Sequence, residues 1–464
     1  MSYANTRRRS GAARSLTEGS PFRLILSFAA PLLLGFLFQQ FYSFVDTAIV
    51  GKYLGAEKLA AVGDTGSVNF LVLGFCQGFC SGFSIPIAQA FGAKDEQSLR
   101  QHVAMSVYLC AVLGVVMALV TALACPWMLR LMDTPEEILP SSVSYIRIVF
   151  AGIPAIILYN MAGGILRSLG DSKTPVYFLI LASLINVVLD LLLIIFVHLD
   201  VAGAAIATVI SQLISGIGCV IVMIRRFPVL HLSKDDWRFR PQLAKSLCSV
   251  GLPMGLQFSI TAIGSIILQS SVNHFGPTVI ASVTAAVKIQ CLVTSPLESL
   301  GITMATFCGQ NLGAARMDRI REGLRKSLAT GVVYAALAYV AVFFLGQYFV
   351  CLFVDAGEAQ FRDIMAYTVR YLHISGLFYP VLGVLFVLRN SLQGMGYGVL
   401  PMSAGILELA ARVFAALCMV TTLGFTGVSL ASPVAWCAAD ALLIGAAVYA
   451  LATLPKRVRS LQTA

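Results

Sequence analysis

Six ionisable side chains fall well inside apolar stretches of this sequence: Asp46, Asp190, Lys288, Glu298, Glu408 and Arg412. A charged group at the centre of a bilayer costs at least about 2.5–3.5 kcal/mol, so each of them needs a reason to be there. Asp46 and Asp190 have no Lys or Arg one helical turn away, and Lys52 lies beyond the end of the first apolar stretch. Asn186 precedes Asp190 by four residues, which puts an amide beside the carboxyl on one helix face. A carboxyl deprived of water and of a cation favours its neutral form, so this pair has the chemistry to take up and release protons. The plainer role for Asp46 is a helix cap at the membrane interface. Glu408 and Arg412 are spaced i, i+4 and are expected to neutralise each other as a structural ion pair. Lys288 and Glu298 stand ten residues apart, roughly 15 Å along a helix, and cannot pair directly. Either is free to face a cavity, Glu298 as a group that attracts cations. Gln40, Tyr42, Tyr159, Asn160, Gln257, Gln269 and Asn390 are candidate cavity-lining groups, although bonds between helices are the commoner use of such residues.

Membrane-spanning helices must position these groups. Only 12% of the residues are charged against 58% hydrophobic, with a mean hydropathy of +0.85. Soluble domains carry roughly 25% charged residues, so a soluble protein is excluded. Residues 109–125, 176–197 and 331–354 hold almost no ionisable group, and 464 residues leave room for about twelve such spans. The fold class expected is therefore all-α, with twelve transmembrane helices. The net charge of +10 is no nucleic-acid signature, because it is distributed by loop. On this assignment 24 of the 32 Lys and Arg fall on one side, in the tails (Arg7, Arg8, Arg9, Arg14), the long loops (Arg225, Arg226, Lys234) and the short ones (Arg167, Lys173, Arg389). Cytoplasmic loops carry that excess, so both termini are predicted to be cytoplasmic. The first apolar stretch, from Phe22 to Val45, is too long for a signal-peptide core and is expected to be the first span. The eleven cysteines are scattered, without metal spacing, and are expected to be packing residues.

The chain also repeats itself. Gln89 and Gly92 recur as Gln310 and Gly313, at an offset of 221. Gly55, Ala60 and Val62 recur as Gly276, Ala281 and Val283 at the same offset. Tyr145, Pro154, Gly170 and Pro175 recur as Tyr371, Pro380, Gly396 and Pro401 at 226, and Gly203 and Ala207 as Gly427 and Ala431 at 224. The organisation expected is a tail (1–20), a six-helix lobe (21–226), a charged cytoplasmic linker (227–242), a second six-helix lobe (243–454) and a second tail (455–464). Six spans per half make the repeats parallel, related by a rotation near 180° about the membrane normal. Paired bundles of this kind enclose a cavity and point to a secondary transporter. Gly74, Gly78 and Gly82 form a small-residue face on the second helix, with Ser295, Ser299 and Thr303 as repeat mates, and serve close packing.

Several of these segments resemble one known family. They are Pro31, the run Phe44-Val45-Asp46-Thr47 through Gly51 and Gly55, Ala88-Gln89 with Gly92-Ala93, Arg167-Ser168-Leu169-Gly170-Asp171-Ser172-Lys173-Thr174-Pro175, and Gly309-Gln310-Asn311-Leu312-Gly313-Ala314. In this order, over nearly the whole chain, they are similar to the multidrug and toxic compound extrusion (MATE) family, in its DinF/MepA-like bacterial branch. The resemblance implies export of organic cations in exchange for H⁺ or Na⁺, with no cofactor beyond the coupling ion. In proton-coupled members a first-helix Asp and an Asn-x-x-x-Asp on the fifth helix form a pocket, which Asp46, Asn186 and Asp190 match. A Tyr on helix four and a Thr on helix six belong there too, and Tyr145 and Thr208 are their counterparts. The family's further Asn on helix four has none, since Gly163 stands in its place. Sodium-using members carry acids on helices seven and ten. Here residues 255–272 have Gln257 and Gln269 but no acid, and the tenth helix has only Asp363 near its entry, so protons are expected.

A monomer in the plasma (inner) membrane handling small organic cations is thus expected. A lipid-linked oligosaccharide flippase of the same superfamily is the nearest alternative, but it would need several cations in its cavity, and only Lys288 and Arg412 are expected deep in helices. A membrane-embedded enzyme is remoter, because the sequence has no HExxH, no GxSxG and no paired aspartates near a span end.

Overall fold

The computed structural model describes residues 15–351 and 360–463. Arg7, Arg8, Arg9, Arg14 and Ala464 lie outside the described residues. The chain folds as sixteen α-helices among the described residues: α1 (Pro21–Leu54), α2 (Ala56–Asp64), α3 (Gly66–Ala93), α4 (Glu96–Leu131), α5 (Leu139–Ala151), α6 (Ile153–Ser168), α7 (Lys173–Leu191), α8 (Asp200–Arg226), α9 (Pro241–Asn273), α10 (Pro277–Gly313), α11 (Met317–Val350), α12 (Phe361–Gly376), α13 (Tyr379–Gly394), α14 (Val399–Phe414), α15 (Val420–Leu423) and α16 (Phe425–Thr463). Ten stretches are long and apolar enough to cross a membrane. Two bent pairs, α5–α6 at 46° and α12–α13 at 54°, bring the number to twelve. Each bend has a proline in the first turn of its second helix, Pro154 and Pro380, and a proline cannot donate to the preceding turn. The two prolines are repeat mates.

The duplication is visible in backbone angles as well as in residue types. Left-handed φ values occur at Gly55 (88°) and Gly276 (86°), at Lys94 (59°) and Ala315 (56°), and at Gly170 (85°) and Gly396 (81°). These pairs keep the sequence offsets of 221, 221 and 226. Each unit also contains one π-helical stretch, Leu192–Phe196 after α7 and Ala415–Met419 after α14.

The residues gather into two compact units. The first holds the described part of Met1–Gly19, with Ala30–Gly255 and Gly309–Arg316; the second holds Ser20–Ala29, Leu256–Cys308 and Met317–Ala464. In the first unit α6 and α7 pack on α8, and α3 packs on α6. Two glycines of the repeated motif explain themselves here. A Cβ on Gly92 would lie 1.9 Å from the Gln310 carbonyl oxygen, and one on Gly313 would lie 1.9 Å from that of Gln89. The ends of α3 and α10 therefore cross with backbone against backbone, which only glycine permits. Beside the crossing the Gln310 side chain donates to the Ser168 carbonyl (2.8 Å) and accepts from the Leu16 N–H (2.8 Å). The small-residue face of α3 is used in the same way: a Cβ on Gly82 would fall 2.5 Å from the Gly251 Cα.

The segment between α8 and α9 is anchored to α4. Buried Asp236 accepts from the Ser233 N–H (2.8 Å) and pairs with the Arg100 Nε (3.2 Å), while the Tyr108 hydroxyl donates to the Trp237 carbonyl (3.1 Å). Burial alone would raise the Asp236 carboxyl, but the Ser233 N–H and hydroxyl, together with Arg100, hold it below its ordinary value. In the second unit α14 and α13 pack on α16, and α11 packs on α13.

Candidate ion-coupling site

The first unit brings four helices to one polar pocket. On α1, Tyr42 and Asp46 are one turn apart and share a face. Helix α7 starts where Asp171 accepts from the Lys173 and Thr174 N–H groups (3.1 and 3.0 Å) and the Thr174 hydroxyl (2.6 Å). Its apolar run then carries Asn186 and Asp190 inward, where they are 1% and 0% exposed. With the amide turned so that its oxygen faces α8, Asn186 donates to the Asp190 Oδ2 (2.9 Å) and accepts from the Thr208 N–H (3.1 Å). The amide thus ties α7 to α8 and orients the carboxyl at once.

Asp46, half-buried, comes to Asp190 from α1. The two carboxyls face each other closely enough to interact, and neither Oδ1 has a hydrogen-bond partner among the described residues. Two ionised carboxylates repel at such range. The Tyr42 hydroxyl reaches Thr208, and buried Tyr145 from α5 faces the same carboxyls. No Lys or Arg forms an ion pair with either acid among the described residues. A small cavity of ≈ 30 Å³ adjoins the cluster, lined by Gln39, Tyr42, Ser183, Asn186, Thr208 and Gln212. That is room for about two water molecules.

The second unit holds a different cluster. Glu408 accepts from Arg412 (2.6 Å), the spacing foreseen from sequence, and also from Arg389 on α13 (2.6 Å). All three are buried, at 3%, 7% and 9% exposure. Arg389 was expected in a short loop, and the structure corrects that: α13 runs on to Gly394 and carries the guanidinium inside. Arg167, expected in a loop too, is likewise within α6. The ion pair is thus a triad. No spacing rule links Arg389 to Glu408, nineteen residues on in another helix. The repeat offers a partial signal, since Tyr371 in this unit is the mate of Tyr145 and is also buried.

The remaining candidates are dispersed. Gln40 and Gln269 are exposed, and Gln269 donates to the neighbouring Asn273 (3.1 Å). Asn160 and Asn390 donate to carbonyls of their own helices, Ile156 and Phe386 (2.9 Å each). Tyr159 donates to the Pro175 carbonyl (3.0 Å), and Gln257 accepts from Gln393 (2.9 Å). Lys288 is exposed on α10; Glu298, on the same helix, is half-buried and forms no ion pair among the described residues. Of the cavity candidates, Tyr42 is the one that joins the Asp46–Asp190 cluster.

Up to twelve apolar spans in two repeated halves define a multi-pass membrane protein, and the family that its sequence matches is one of transporters rather than enzymes. The MatE family model matches residues 31–192 and 253–418, and the chain belongs to that family. "Probable multidrug resistance protein YoeA" of Bacillus subtilis (strain 168) is 31% identical over 352 residues, 74% of this chain and 76% of its own. The "FAD transporter" of Shewanella oneidensis is 25% identical over 93% of this chain and 94% of its own. Among solved structures, a MATE transporter in its bent conformation aligns with a TM-score of 0.87 at 23% identity, covering 96% of this chain and 98% of that one. The structural likeness concerns the fold.

Proposed function

We propose that the chain is a secondary active antiporter that exports small organic cations in exchange for protons, Na⁺ being the alternative ion, with no other cofactor. The observation that carries this reading is the approach of the Asp46 and Asp190 carboxyls to each other with no Lys or Arg paired to either among the described residues. A proton entering the pocket cancels a negative charge there; its departure restores that charge. A ligand moves a conformational equilibrium only through its difference in affinity for the two states, and this change of charge supplies such a difference. Protonation favours the state that releases cargo, and deprotonation favours the state that binds it. Glu298, half-buried without a basic partner, is the candidate that attracts a cationic cargo. The name of the Bacillus subtilis relative, a probable multidrug resistance protein, supports a small-molecule drug cargo. In this reading the protein is a monomer in the plasma (inner) membrane with both termini cytoplasmic, in line with the Lys and Arg asymmetry.

A second reading has an anionic cargo. It is favoured by the excess of guanidinium in the Arg389–Glu408–Arg412 triad and by the relative named as an FAD transporter. Purified protein in proteoliposomes separates these readings. With proton and sodium gradients imposed one at a time, a cationic dye should move under the proton gradient and FAD should not. Dye movement under sodium alone would replace the ion, and FAD movement alone would replace the cargo.

A further inference from the structure

Asp440, on α16 in the second unit, is 6% exposed, and its Oδ1 has no hydrogen-bond partner among the described residues. It makes no ion pair there either, yet it lies within electrostatic reach of Arg389 and Glu408. The guanidinium pair and the single carboxylate of the triad leave one positive charge over, and guanidinium does not deprotonate in proteins. Two nitrogens of the triad, Arg389 Nε and Arg412 Nη1, also lack partners. An uncompensated charge in so dry a place is costly. Ionised Asp440 cancels that charge but has no donor at Oδ1. Neutral Asp440 avoids burying a bare carboxylate and leaves the guanidinium charge standing. Each state lacks what the other has, which is the condition for a proton to come and go.

The surroundings contain no stronger claim on that proton. From α13 the facing charged group is Arg389, from α14 Glu408 and behind it Arg412. On α16 itself the neighbouring titratable group is Cys437. Helix α15 has no ionisable side chain, and the charged residues of α11 lie between Asp318 and Lys326. Glu408 is held by both arginines and stays ionised.

We propose that Asp440 is a proton-binding carboxyl, so that the second unit carries a titrating site of its own, set against the charge of the Arg389–Glu408–Arg412 triad. The proposal does not depend on how Asp46 and Asp190 act.

Proton uptake by the purified protein in detergent tests it. Between mildly alkaline and mildly acidic pH, Asp440→Asn should take up one proton fewer than the native chain. The infrared carbonyl band of protonated carboxyls should weaken in step, and should do so again when Asp440→Asn is added to an Asp46→Asn, Asp190→Asn, Glu298→Gln background. Unchanged uptake and an unchanged band would overturn the proposal. Should Asp440→Asn alone fail to fold, Arg389→Gln is added to remove the opposing charge. If that double variant folds and takes up as many protons as Arg389→Gln alone, Asp440 does not titrate and the proposal fails. One proton fewer upholds it.

Discussion

The two units place polar groups at corresponding points along corresponding helices and fill them with opposite chemistry. Asn186 lies thirteen residues past the start of α7, and Arg412 lies thirteen past the start of α14. Tyr145 and Tyr371 are mates, as are Thr208 and Ser432 at the offset of the neighbouring glycines. A π-helical stretch follows each cluster, and such widened turns recur at functional sites. In the first unit two acids meet with no base paired to either among the described residues. In the second unit one acid lies between two guanidiniums, and strong charge-assisted bonds fix it at 2.6 Å on both sides. The first arrangement has a cheap second state; the second has none for Glu408. One scaffold, duplicated, thus provides a pocket suited to changing charge and a triad suited to holding helices together.

The largest expected effect separates these roles directly. Asp190→Asn keeps the shape and removes the titration, so gradient-driven efflux should drop to the passive level while thermal stability in detergent barely moves. Glu408→Gln should do the reverse. It strands two buried guanidiniums, and removing one partner of a buried ion pair costs about 3–5 kcal/mol. Normal pumping by both Asp190→Asn and Asp46→Asn would dissolve the contrast and move the coupling site elsewhere, with Glu298 first to test.

A medium effect concerns how the triad is removed. Replacing Glu408 and Arg412 together by apolar residues of similar volume leaves Arg389 buried without its acid, so that variant should melt well below the native chain. Adding Arg389→Met removes the stranded charge. The triple variant should recover to within about 1–2 kcal/mol, because well-packed apolar groups commonly substitute for buried ion clusters. A double variant as stable as the triple would mean that Arg389 contributes nothing, and the cluster would reduce to the pair seen in the sequence.

What could be read from the sequence follows the range of the physics involved. Hydropathy and loop charge are local sums, so the spans emerged from composition and run length. The repeat emerged because its glycines and prolines answer local demands: left-handed φ at Gly55 and Gly276, backbone contact at Gly92 and Gly313, bends at Pro154 and Pro380. Asn186 beside Asp190, and Arg412 beside Glu408, are within one helical turn and are legible from spacing alone. The meeting of Asp46 with Asp190 came from resemblance, since no spacing spans 144 residues. Arg389 was missed because a helix boundary one or two turns out of place turns a buried cation into a loop cation. Asp440 was missed because the charges it faces, Arg389 and Glu408, lie on two other helices. The side-chain direction that sends Tyr42 to Thr208, and leaves Gln40 exposed, depends on the facing of α1 rather than on residue type.

The smallest expected effect compares the two mated tyrosines. Tyr145 faces the carboxyl pair, whereas the Tyr371 hydroxyl reaches Ser432 beside Arg412. Replacing either by Phe deletes one hydroxyl in a buried site and leaves the ring packing intact. At Tyr371 that removes the hydrogen bond to Ser432, worth about 0.5–1.5 kcal/mol, and at Tyr145 it removes a hydroxyl dipole that faces the carboxyl pair. Where that energy appears should differ. In the first unit the hydroxyl sees a charge that comes and goes, so it stabilises one state more than the other. Tyr145→Phe should therefore slow proton-driven efflux severalfold and alter its pH dependence, with little change in melting temperature. In the second unit the triad keeps its charge in every state, and a constant contribution cancels from the conformational equilibrium. Tyr371→Phe should lower the melting temperature slightly and leave the pH profile of efflux where it was. Equal shifts of the pH profile in the two variants would show that Glu408 itself changes charge during transport, or that Tyr371 senses the proton on Asp440, and the contrast between the two tyrosines would fall.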